Sequence, residues 1–241
     1  MTLAAGLDVQ VSWYLVPAWV FPVLVICLAG FLVYRMNRKR QERERRVADA
    51  ARTNGWHWQQ TDPSLLDRWA LQPFGNGRRR QVRNVVYGEH NGWSFVAFDY
   101  QYITGGGRNS RRHDHAVYVL TLPGTLPNIQ AEPEGIFGGR VARAFGLGDL
   151  ELGDEELDRM WKVRSENEEF VRALFHERMR QLLLQTGGWT WGIERDSMVS
   201  AYSGTLAPEE IGPRIDLMAA VVGQIPDEVW ARYGPAAAAS N

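Results

Sequence analysis

Residues 81–104 read QVRNVVYGEHNGWSFVAFDYQYIT, and this stretch decides the fold. Two runs rich in β-branched and aromatic residues flank Asn91-Gly92. That dipeptide adopts the positive φ angles of a two-residue hairpin turn at low cost, so the runs read as paired antiparallel strands. Along the second run, Trp93, Phe95, Ala97 and Asp99 share one face, while Phe98, Tyr100 and Tyr102 share the other. Both faces are largely apolar, which predicts a central strand covered on two sides. Asp99 interrupts one of them and reads as a carboxylate hydrogen-bonded to a neighbouring loop.

Working outward, a glycine-rich loop (Gly105–Gly107) leads into AVYVLTL, a third strand closed by Pro123. Asn128–Glu132 reads as a fourth, ended by Pro133. Upstream, Trp56-His57-Trp58 opens a short strand, and Asp62-Pro63-Ser64 starts a helix over Leu65–Trp69. Downstream, a short helix is expected at Arg140–Phe145, a helical turn at Asp154–Arg159 and a strand at Trp161–Ser165. Ser165 is placed to cap a helix that begins at Glu166, with acidic residues in its first turn, and runs to Gly187. Trp189–Arg195 and Met198–Ser203 read as a hairpin, Pro208–Gly223 as a long helix and Pro226–Tyr233 as a short one. Strands gather early and helices flank a late hairpin, which is the α+β pattern with an antiparallel sheet and not alternating βαβ.

The N-terminal part obeys different rules. Between Asp8 and Arg35 lie 26 residues without a charge. At about 1.5 Å per residue, roughly 20 apolar residues cross the hydrocarbon core, so Val11–Tyr34 is read as a transmembrane helix. Trp13, Tyr14 and Trp19 near one end and Phe31 and Tyr34 at the other resemble interfacial aromatic belts. Residues 35–46 carry seven Lys/Arg and two Glu, whereas the N-terminal flank carries no basic residue. This asymmetry places the N-terminus outside the plasma membrane and the rest in the cytoplasm. The chain therefore divides into an extracytoplasmic tail (1–10), the span (11–34), a basic juxtamembrane helix (35–53), a cytoplasmic α+β domain (54–234) and a tail (235–241). The lipid bilayer is the expected partner, and Arg35, Arg38, Lys39 and Arg40 are the expected headgroup contacts. Arg38–Glu42 and Arg40–Glu44 are spaced to pair on the juxtamembrane helix.

Composition narrows the function. At 241 residues, 45% hydrophobic and 23% charged, the chain is long and apolar enough for a folded domain plus appendages. A single Cys excludes a disulfide scaffold and a Cys-rich zinc module. The chain carries a net −1; residues 35–52 carry +5 and Asp8 carries −1, which leaves −5 for the remainder. A mildly acidic domain behind a basic stalk does not fit a nucleic-acid partner. Eight of the 10 Trp lie beyond the span, where Trp56, Trp58, Trp69, Trp93 and Trp161 read as core.

Sites of chemistry are few. His113 and His115 would share a strand face, as metal ligands do, but His57, His90 and His176 are scattered, so no metal is assigned. There is no GxSxG, HExxH or P-loop pattern, so no catalytic residue and no cofactor are assigned. Two arginine groups stand out beside glycine-rich loops: Arg78, Arg79 and Arg80, followed by Arg83, and Arg108, Arg111 and Arg112. Both precede strands of the expected sheet and are candidates for anion binding.

Gly55-Trp56-His57-Trp58, Pro73-Phe74-Gly75, Phe98-Asp99-Tyr100-Gln101-Tyr102, Leu122-Pro123 and Leu126-Pro127 together resemble uncharacterised actinobacterial single-pass membrane-anchored proteins. Leu157–Leu184 also looks like a bacterial domain of unknown function, which usually has Phe where Met160 or Trp161 stands and Thr-Pro where this chain has Phe175-His176. The resemblance implies an architecture and no catalytic residue. The expectation is a non-enzymatic binding or scaffolding module tethered to the membrane with a protein partner, the alternative being an anionic-lipid or phosphorylated-ligand domain using the loop arginines.

Overall fold

A computed structural model describes residues 19–133, 150, 152 and 155–234. The chain forms two compact units, Met1–Arg45 and Arg46–Asn241. The described part of the first is helical: helix α1 runs from Val20 to Thr53, and its apolar side chains, among them Phe21, Ile26, Phe31 and Leu32, are exposed. By length and composition it is able to cross a membrane. Residues 11–18 of the expected span lie outside the described residues.

The second unit is α+β. Its strands are β1 (His57–Gln59), β2 (Arg78–His90), β3 (Trp93–Thr104), β4 (Arg111–Pro133), β5 (Trp161–Ser165) and β6 (Trp191–Ser203). Its further helices are α2 (Glu155–Met160), α3 (Glu168–Leu174), α4 (Glu177–Thr186), α5 (Ile211–Val222) and α6 (Asp227–Tyr233). All strand pairs are antiparallel, in the order β1-β2-β3-β4-β5, with β6 also on β4. The Asn91-Gly92 turn closes β2 on β3 with His90 opposite Trp93, and both turn residues have positive φ (50° and 81°).

The expected late hairpin is built inside β6. Ser200 Oγ donates to Thr190 O at 2.9 Å. Ten residues of straight strand would separate the two by about 33 Å, so β6 doubles back. The tip is Arg195-Asp196, both exposed, with Arg195 at φ 57°. Trp191–Arg195 therefore pairs with the far half of β4 (Leu126–Ala131), and Ser197–Ser203 with its near half (His115–Thr121).

Alternating side chains divide the core into two layers. On one face, Val86, Phe95, Ala97, Tyr118, Leu120, Ile129, Val163, Ile193 and Met198 pack against α3, α4, α5 and α6. Val47 and Ala51, one turn apart on the last two turns of α1, are buried in the same layer. On the other face, Val82, Val96, Phe98, Tyr100, Val117 and Val199 are covered by Leu65, Trp69 and Phe74. The central β3 is thus covered on both sides, as its pattern predicts.

Three local expectations are corrected. No helix forms over Leu65–Trp69: a single 3-10 turn (Pro63–Leu65) follows Asp62, whose carboxylate accepts from Ser64 N at 3.0 Å. Trp69 and Phe74 are drawn onto the sheet, Trp69 stacking on Phe98 and Phe74 meeting Tyr100 edge-on at 4.9 Å. Asn167, and not Ser165, caps the helix after β5, through Phe170 N to Asn167 Oδ1 at 2.9 Å. Ser165 Oγ donates instead to Asn128 O at 2.6 Å. That helix also breaks at Phe175-His176, where His176 Nε2 meets Gln224 O at 2.7 Å and α4 begins anew. The expected helix at Arg140–Phe145 lies outside the described residues.

Candidate functional site

The strand register brings the two arginine groups together. At the end of the sheet, Arg78 on β2 pairs with Ile103 on β3, which pairs with Arg112 on β4. Strands about 4.8 Å apart put Arg78 and Arg112 roughly 10 Å from each other on one face, with Ile103 between them. Arg111 pairs with Thr104 one residue on, and so faces the opposite side of the sheet. The Gly105–Gly107 turn joins the strands, with Gly105 at φ 73° and Gly107 at φ 56°. A β-bulge between Arg78 and Gln81 places Arg79 at φ 52° and lets Arg80 turn to the other face.

These arginines are not equivalent. Arg80 Nη1 donates to Asp67 Oδ1 at 2.5 Å, and Arg112 grips Asp114 through Nε and Nη2 at 2.7–2.9 Å. Arg83 spends Nε and Nη2 on Gln81 Oε1. Arg78 Nη2 reaches Ser110 Oγ at 3.4 Å. Among the described residues, no carboxylate pairs with Arg78, Arg79, Arg108 or Arg111, and all four are exposed. Six arginines and two carboxylates give this end of the sheet +4, within a segment (54–241) that carries −5 in total.

The neighbouring histidines belong to an aromatic stack. The Tyr102 ring lies parallel to His113 at 4.8 Å and to His115 at 5.5 Å. His113 Nε2 is 2.8 Å from Thr104 Oγ1. His115 is 5% exposed, and among the described residues its Nε2 has no hydrogen-bond partner. Burial, aided by His113 and opposed by Asp114, pushes its pKa down to about 4, so it is neutral near pH 7. Among the described residues no group of three or more His, Cys, Asp or Glu is placed to hold a metal.

Asp99 is buried and braces the fold. Its Oδ2 accepts from Asn84 Nδ2 at 2.7 Å and its Oδ1 from Leu206 N at 2.6 Å, pinning the loop before α5 to β3. On the stalk, Arg38 and Arg40 form the expected pairs with Glu42 (2.9 Å) and Glu44 (3.0 Å). Arg35 lies 5.9 Å from the Phe31 ring centroid, and Lys39 is exposed.

Taken together, the chain is an α+β domain preceded by an apolar helix of membrane-spanning length. No family model matches it, and no curated protein matches it. Among solved structures it is similar to the crystal structure of the mycobacterial trehalose monomycolate transport factor A. The TM-score is 0.53 at 18% identity, over 80% of this chain and 96% of that one. At that identity the likeness speaks for the fold, which it shares with an actinobacterial protein.

Proposed function

We propose that this chain is a non-enzymatic accessory module of lipid transport, tethered to the plasma membrane by α1, with its N-terminus outside and Arg46–Asn241 in the cytoplasm. The observation that carries this reading is the fold likeness to a trehalose monomycolate transport factor across nearly the whole of that protein. The apolar exposed face of α1 and the basic residues that follow it support the tether and its orientation. In this reading Arg35, Arg38, Lys39 and Arg40 meet anionic headgroups, each worth about 1 kcal/mol near the surface. The domain's surface recruits a protein partner and its interior gives it shape. His113, His115 and Asp99 are structural, so replacing each should alter stability and leave no lost reaction to find.

The test is purification of the full-length protein from its own membranes in detergent, followed by mass spectrometry. A stoichiometric membrane-transport partner supports the reading. Recovery of the intact chain in a detergent-free soluble fraction refutes the tether. A preparation holding only a bound small metabolite moves the weight to the ligand-binding alternative.

A further inference from the structure

We propose that the arginine end of the sheet is a docking surface for an acidic segment of a protein partner. This deepens the partner-recruiting reading and rests on it. Four guanidinium groups there, on Arg78, Arg79, Arg108 and Arg111, have no carboxylate partner among the described residues. Two neighbouring arginines are neutralised by Asp67 and Asp114, so the unpaired four are a surplus beyond what the fold consumes. A planar fork with five N–H donors is suited to carboxylates and binds them bidentately.

The form of the surface selects the occupant. Gly105, Gly106 and Gly107 add no side chains, and Ile103 is half-buried between Arg78 and Arg112. The charges spread over two strands, β2 and β4, and the turn before β4, on both sides of the sheet, which suits an extended acidic chain wrapped over an edge better than a single small anion. Residues 47–56 pack at the opposite end of the β2–β3 hairpin, where Trp56 Nε1 donates to Glu89 O at 3.0 Å and its ring meets Phe95 edge-on at 5.1 Å. From Trp93 to Thr104 the strand runs for about 37 Å, so the arginines stand far from where the chain enters this unit.

The test uses the full-length protein in phosphatidylcholine discs and in discs containing about one-third phosphatidylglycerol. The probe is a fluorescent 14-residue peptide alternating Glu and Ser, with its Gln-for-Glu twin as control, read by anisotropy at low salt. The expected result is binding of the acidic peptide in both discs, at least tenfold tighter than the twin. It should weaken at least tenfold in the quadruple variant R78S/R79S/R108S/R111S and fall steeply with salt. Because that variant changes exposed residues only, its thermal midpoint should match wild type; the single Arg108→Glu exchange provides a second reading with one change.

Equal binding of both peptides, or binding untouched by the arginine changes, overturns the proposal. So does binding abolished by phosphatidylglycerol, which would assign the arginines to lipid, or displacement of the peptide by millimolar inorganic phosphate alone. Each of these outcomes leaves the tether and the purified partner of the preceding test standing, so the two readings fail separately.

Discussion

His115 makes acid stability a direct readout of the second core layer. In the folded chain its pKa is pushed down to about 4, against 6.5 when unfolded. A histidine held neutral by folding contributes stability that is fully present above pH 6.5 and is lost as pH falls towards 4, because the unfolded chain takes up the proton first. Linkage between these two values gives a loss of about 2 kcal/mol between pH 7 and pH 4.5. The perturbation is His115→Gln, which keeps a side chain of similar length beside Tyr102 and removes the titration. Full-length protein in neutral detergent is unfolded with urea, followed by tryptophan fluorescence, at both pH values. Groups away from the Tyr102 stack are common to both proteins and cancel in the comparison. Wild type should lose about 2 kcal/mol more than the variant over this pH interval. If the two lose stability in parallel, His115 is not held neutral by burial and the description of the Tyr102 stack is wrong.

Other expectations follow from packing. Val47→Ala removes two methyl groups from a fully buried site at the end of α1 and should lower unfolding stability by about 1–2 kcal/mol, measured by the same urea titration. Asp99→Ala strips the acceptor from Leu206 N and Asn84 Nδ2 and should cost about 2–4 kcal/mol, with faster hydrogen exchange at the Leu206 amide as the local signature. Gly88→Ala would drive a methyl into the Trp56 ring and against Phe95, an overpacking cost of about 1–3 kcal/mol read as a lower thermal midpoint. For topology, Asn109→Cys should resist a membrane-impermeant maleimide in intact cells and react in inverted vesicles; the reverse pattern would put the domain outside.

Much of the sheet was legible because it is set by local chemistry. Asn91-Gly92 fixes a turn, and the alternation in Trp93–Tyr102 assigns both faces of β3 without tertiary information. Trp161–Ser165 is observed as expected, since period-two burial leaves a short readable pattern. Less legible was anything settled by distant contacts. Leu65–Trp69 has helical starting chemistry, yet Trp69 gains more by stacking on Phe98 and Phe74 by packing edge-on against Tyr100. The break at Phe175-His176 is tied to Gln224, 48 residues away, which no local window contains. For the arginines, their separate nearness to sheet strands was readable, whereas their meeting across Ile103 is a property of register. Which of them would be neutralised depended on Asp67, which reaches Arg80 from a segment expected to be helical.

The doubling back of β6 has a consequence for how this protein is made. The two halves of β4 are joined by Leu122–Thr125 but meet through residues 191–203, emitted from the ribosome some 60 residues later. Until then, β4 presents unpaired backbone along the side that β6 will take, and β5 can attach only to its far half. Synthesis therefore passes through an interval in which a partial sheet is held open, at roughly 5–20 residues per second a matter of several seconds. Messages truncated between Pro133 and Ser203 would yield chains with an exposed strand edge, the kind of template that recruits other chains. A single late hairpin, whose tip is fastened through Glu194 to Ala70 N at 2.8 Å, ends that exposure for both halves at once.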